Sequence, residues 1–210
     1  MAEKPILFNT PMVRAILDGH KTVTRRVVNL KHLRGLENLT AEKILRCCIA
    51  PYQVGDILWV RETWCFYWGV YWHKAGLEVD ENGYCKDGCW VNDAASPGGK
   101  RWLASKAPDK WRPSIHMPRE AARIFLRVTD VRVERLQEMR AEDSLREGVK
   151  LHLEGCLNGE APLKPFADLW DSTIKSADRG RYGWYANPWV WVVEFKRIPH
   201  DLPCHKEVSE

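Results

Sequence analysis

Hydrophobic positions along the chain change period several times, and each change marks a predicted element. Residues 4–10, KPILFNT, are a short apolar run that predicts a strand. Thr10 then reads as the N-cap of a helix with Pro11 at its first position. Met12, Ala15, Ile16 and Leu17 continue at helical spacing, and Gly19 stops the helix. The β-branched segment from Thr22 to Val28 is extended, and residues 39–43 open a short capped helix. After a Gly55-Asp56 turn, Ile57-Leu58-Trp59-Val60 is a buried strand.

From Cys65 to about Pro113 the periodicity weakens and Gly, Lys, Asp and Trp interleave, with SPGGK at 96–100 as a loop. We read about 65–113 as an insertion holding a few short strands, FYWGVYW being one. Alternation returns over 122–136, with a break of parity between Val128 and Val131 that suggests a bulge. AEDSLREGV (141–149) is a short helix with an acidic first turn, Leu145 facing inward and Gly148 as its stop. PLKPFADLWDSTI (162–174) is amphipathic, with Phe166, Leu169 and Trp170 on one face. RGRYGW is a loop, and WVWVVEFKRI (189–198) is a closing strand. The order β-α-β-β-β-α-α-β predicts an α+β domain on a curved sheet or small barrel. It spans residues 1–200 with a tail at 201–210.

Composition narrows the function classes only slightly. Of 210 residues, 45% are hydrophobic and 29% charged, which excludes global disorder. A net charge of +4 permits a nucleic-acid partner without demanding one. Eleven Trp supply an aromatic core or stacking platforms for bases. No apolar run is long enough to span a bilayer and no signal-peptide pattern opens the chain, so a cytoplasmic location without membrane contact is expected. The seven Cys are expected as free thiols. Cys85 and Cys89, with Cys65 and His73 upstream, are spaced more loosely than a zinc knuckle, and no metal is expected.

Candidate chemistry concentrates in GHKTVTRR (19–26), where donors crowd behind a helix-stopping glycine. Alternation in an extended segment puts Thr22 and Thr24 on one face and Lys21 on the other. Lys21, Arg25 and Arg26 are either a solvated or phosphate-binding edge, or part of a catalytic group. Arg61 and Glu62 end the second strand. Glu62 either pairs with Arg61 or Arg119, or reads a base edge. Trp64 and Trp111 stack a base or fill the core, and His116 is a structural histidine or a base. Arg112, Arg119 and Arg123, with Arg25 and Arg26, form a basic lip if one rim gathers them.

Four segments taken in order, ILDGHKTVTRR, GDILWVRETW, RIFLRVTDVRVERLQEM with AEDSLREGV, and PWVWVVEFKRI, resemble the ASCH family of the PUA-like superfamily. The likeness is to its longer, prophage-associated members. That resemblance implies a small β-barrel with flanking helices and a cleft for RNA or a modified nucleoside. One small bacterial member is an amidohydrolase of N4-acetylcytidine. Its catalytic Lys, Thr and Glu correspond by motif to Lys21, Thr24 and Glu147, with no cofactor. On this reading Lys21 projects into the cleft with few packing contacts, so removing it changes stability little. Rival expectations are a non-catalytic RNA-binding module, a ribonuclease, or a phage accessory protein using the Trp-rich insertion to bind protein.

Overall fold

The computed structural model describes residues 1–30, 39–67, 70–77, 110–149 and 163–199. Its elements are β1 (Glu3–Leu7), α1 (Thr10–Leu17), β2 (Val23–Val27), α2 (Ala41–Cys47), β3 (Ile57–Arg61), β4 (Trp64–Tyr67) and β5 (Val70–His73). They continue as β6 (Phe125–Arg135), α3 (Ala141–Arg146), α4 (Lys164–Thr173), α5 (Arg179–Tyr182) and β7 (Trp189–Ile198). The class is α+β, as expected. One sheet has the strand order β1-β3-β6-β7-β2, and β4 and β5 pair separately. Among the described residues this sheet is not closed into a barrel, because β1 and β2 stand at its two edges. No helix among the described residues is long and apolar enough to cross a membrane.

The chain divides into two compact units. The first comprises Met1–Ala2, Asp18–Asp56 and Arg127–Lys196. Its centre is the antiparallel pair β2–β7, in register Val23↔Glu194 through Val27↔Val190. Strand alternation sorts the side chains of this pair onto two faces. Val23, Val190 and Val192 pack with Leu136, Met139 and the α4 residues Phe166 and Trp170. Val28, Trp189 and Trp191 pack on the other face with Ile44 of α2. Both faces are buried, so β7 reads as a nearly continuous apolar run. Helix α2 has the expected cap, the Thr40 hydroxyl accepting from the Lys43 amide at 3.3 Å.

The second unit comprises Glu3–Leu17, Ile57–Leu126 and Arg197–Glu210. Strand β1 runs parallel to β3. Helix α1 is capped one residue earlier than the sequence suggests. Asn9 Oδ1 accepts from the Met12 amide at 3.0 Å, a bond that an Asx side chain makes as readily as a Thr hydroxyl. The run FYWGVYW is divided between two antiparallel strands, β4 and β5. Its core joins Trp64, Met117, Ala121, Ala122 and Phe125.

Candidate functional site

Gly19 adopts a left-handed φ of 76° at the end of α1, where a Cβ would be strained. The chain then runs to β2 alongside the end of α3. Lys21 and Glu147 form an isolated antiparallel bridge, and the Thr22 amide donates to the Arg146 carbonyl at 2.8 Å. Glu147 is the C-cap of α3, and Gly148 turns the chain away with φ 84°.

Lys21 is only 2% exposed. Its Nζ donates to Glu147 Oε2 at 2.6 Å, to the Glu147 carbonyl at 2.9 Å and to the Val23 carbonyl at 2.9 Å. The ammonium thus sits at the carbonyl end of α3, where the helix dipole favours a cation. Its presence also offsets the unfavourable position of a carboxylate there. Burial pushes the Lys21 pKa below its usual range, against the opposing pull of Glu147. The expectation of a lightly packed, projecting Lys21 is therefore corrected: it is a buried ion-pair partner.

Arg25 is also buried, and three carboxylates accept its hydrogen bonds. Nε and Nη2 donate to Glu134 Oε1 at 3.0 and 2.7 Å, Nη2 to Asp143 Oδ2 at 3.0 Å, and Nη1 to Glu147 Oε1 at 3.2 Å. A guanidinium so committed has little left for a phosphate. The network runs outward through half-exposed groups. Arg146 donates to Glu194 at 2.6 Å and to the Thr22 hydroxyl at 3.4 Å, and Arg132 donates to Glu194 at 2.6 Å. The Arg146 hydrogen bond, with help from Arg132, holds the Glu194 carboxyl below its usual range.

Thr24 is buried in β2 opposite Val193. Alternation turns it to the face of Val28 and Trp191, whereas Arg25, which reaches Glu147, shares the parity of Val23. The structure thus brings Lys21, Arg25 and Glu147 together, and Thr24 follows on the opposite parity. Arg26 is half-buried and donates to the Arg25 carbonyl at 3.2 Å.

The second unit holds its own buried polar group. Arg123 forms a two-pronged pair with Glu62 at 2.8 and 3.0 Å. His73 Nδ1 lies 3.4 Å from Glu62 Oε1. Burial pushes Glu62 up, but the charges of Arg123 and His73 and the Arg123 hydrogen bond outweigh it and hold Glu62 below the usual carboxylate range. Burial, reinforced by Arg123, lowers His73 to about 4 against the pull of Glu62. Neither of the two partners expected from the sequence, Arg61 or Arg119, makes this ion pair. Arg61 donates to the Ile115 carbonyl, and Arg119 pairs with Glu3 at 2.9 Å. Trp64 is buried with the Arg112 guanidinium 5.4 Å from its ring centroid, and His116 is exposed.

Cys85 and Cys89 lie outside the described residues. Among the described ones, no group of three or more His, Cys, Asp or Glu is placed to hold a metal. Sequence reasoning missed Glu134 and Asp143, and it weighed His73 only beside the cysteines of a zinc site, not as a partner of Glu62. Asp143 had a local signal, its place three residues before the motif Arg146 and four before Glu147. Glu134 and His73 carry none beyond their type.

No family model matches the chain, and no curated protein matches it. Among solved structures it is similar to one described as a high-resolution crystal structure of an ASCH domain from Lactobacillus crispatus JV V101. The two are 12% identical, with 95% of this chain and 81% of that one covered, at a TM-score of 0.37.

Proposed function

We propose that this is an ASCH/PUA-like protein that binds RNA or a modified nucleoside beside the Lys21–Glu147 pair. The reaction we assign to it is hydrolysis of the amide of an N4-acylated cytidine, without metal or other cofactor. The observation that carries the reading is the burial of motif residues Lys21, Thr24, Arg25 and Glu147, all polar or charged. A solvated edge would leave such groups in water, since burying ions is costly unless they are closely paired.

In this reaction Lys21, its basicity lowered by burial, takes the proton of the attacking hydroxyl and passes it to Glu147 across their 2.6 Å hydrogen bond. Glu147 returns that proton to the leaving amine. The motif gives the hydroxyl to Thr24, but strand parity sets Thr24 on the face opposite Arg25, so its part as nucleophile is the step that the Thr24→Val variant decides. Water then releases the acyl group, so amide and water give carboxylate and cytidine. Thr24→Val keeps the side chain's shape and deletes the hydroxyl. Incubation with N4-acetylcytidine, followed by chromatography of cytidine, tests the assignment. Loss of turnover in Thr24→Val with nucleoside binding retained supports Thr24 as nucleophile; unchanged turnover removes it from that role.

One observation favours a second reading, binding without catalysis. Lys21 Nζ meets three acceptors, which matches the three protons of an ammonium rather than the two protons and lone pair of a free amine. A wild-type protein that binds the nucleoside and never releases cytidine establishes that reading.

A further inference from the structure

Residues 175–185 are tied to α4 and to Gln137 at Tyr182 and Trp184, yet display exposed basic and aromatic side chains. Trp170 Nε1 donates to the Tyr182 carbonyl at 2.8 Å, and the Trp184 amide donates to Asp171 Oδ1 at 2.7 Å. Gln137 Nε2 donates to the Trp184 carbonyl at 2.8 Å. Gly183 packs so closely that a Cβ there would meet the Arg179 carbonyl oxygen at 2.6 Å. Asn187 closes the segment in a left-handed conformation, φ 45°, which asparagine adopts more readily than most residues.

What the segment displays is unlike ordinary loop surface. Tyr185 is 92% exposed, and Lys175, Arg179 and Arg181, earlier in the same segment, are exposed as well. Asp178 is the only acidic residue between Lys175 and Tyr185. The Arg181 guanidinium lies 5.0 Å from the centroid of the half-buried Tyr182 ring. A segment that exposes both an aromatic ring and cations can stack a base and neutralise its phosphates.

We infer that the Arg179–Tyr185 segment is a contact surface for single-stranded RNA, with Tyr185 as a stacking platform and Arg179 and Arg181 on the phosphates. This rests on the reading that the chain takes a nucleobase-containing ligand, and it adds a polynucleotide contact outside the Lys21 network. Charge complementarity favours RNA: the segment exposes Lys175, Arg179 and Arg181 against the single acid Asp178, and the exposed Tyr185 ring offers a base a stacking face.

The test is fluorescence anisotropy with a labelled oligouridylate of about 12 nucleotides over a range of salt. Wild type binds with salt-sensitive affinity. Tyr185→Ala weakens binding about fivefold or more, and Tyr185→Phe keeps it, because the ring does the stacking. Arg179→Ala with Arg181→Ala lowers the steepness of the log–log salt dependence by about 1.4, the value for two single-strand phosphate contacts. The Tyr185→Ala melting temperature stays at the wild-type value. N4-acetylcytidine affinity, measured on the same proteins, reports on the Lys21 site alone and is unchanged in Tyr185→Ala. Wild-type-like oligouridylate binding by Tyr185→Ala, or an unchanged salt dependence in the double arginine variant, overturns the inference, as does absence of oligouridylate binding by wild type. A tenfold loss of nucleoside affinity in Tyr185→Ala also overturns it, by making Tyr185 part of the other site.

Discussion

Lys21 Nζ lies 2.6 Å from Glu147 Oε2, with both side chains buried at the C-terminal end of α3. A motif lysine and a motif glutamate 126 positions apart thus form one ion pair. Lys21→Ala leaves Glu147 buried with Arg25 as a hydrogen-bonded cation but without its closest one. The expected loss of stability is about 3–5 kcal/mol, the usual cost of halving a buried pair. Lys21→Met combined with Glu147→Leu removes both charges and is expected to recover most of that loss. Denaturant midpoints of the two variants check the difference.

His73 makes the second unit sensitive to acid. Its folded pKa of about 4 lies below the ordinary 6.5, so between those values the unfolded chain binds the extra proton. Stability contributed by neutral His73 is therefore complete above about pH 6.5 and lost as pH falls towards about 4. The lowered pKa of Glu62 acts in the same direction at lower pH still. The total for His73 is about 3 kcal/mol. Thermal melts of wild type and His73→Phe across pH 4–7 check this: the variant's curve should be flatter by that amount.

Arg25 and Arg26 are expected to behave differently despite being neighbours. Arg25→Gln strips a buried guanidinium from three carboxylates and should destabilise by about 3–5 kcal/mol. Its effect on the salt dependence of RNA binding should be nil, because its donors face protein. Unchanged stability with a flattened salt dependence would return Arg25 to the phosphate-binding edge that the sequence alone permits. Denaturant titration and the salt series together separate the two.

Helix α3 shows where sequence reading succeeds and where it stops. The helix, its acidic first turn and its glycine stop were all legible from AEDSLREG. The facing was not: Leu145 is 47% exposed and Ser144 is buried. Over six residues a helix gives too few repeats of the 3.6 period to fix which side is covered. Leu145→Ala should accordingly change stability by less than about 0.5 kcal/mol. Phe166→Ala, on the correctly read face of α4, should cost about 3–5 kcal/mol. Urea unfolding of the pair checks both.

The site was legible to the same mixed degree. Motif order picked out Lys21 and Glu147, since KTxT and the helix-end Glu are local strings. The three acids around Arg25 were not visible as a set, because Glu134, Asp143 and Glu147 meet one guanidinium only when β6 and α3 fold beside β2. The ion pair of Glu62 was placed on the wrong arginine for a similar reason. Arg61 is adjacent in sequence, but the two-pronged partner, Arg123, comes from 61 positions away.

The most direct measurement is cytidine release from N4-acetylcytidine by wild type and by Lys21→Met, each at a temperature where it is folded. We expect wild type to release cytidine and Lys21→Met to be slower by at least about a hundredfold, the scale of a general acid–base group. Saturable nucleoside binding without release would contradict the hydrolase and leave a binding protein. Wild-type protein that neither releases cytidine nor binds the nucleoside would contradict the account at its centre.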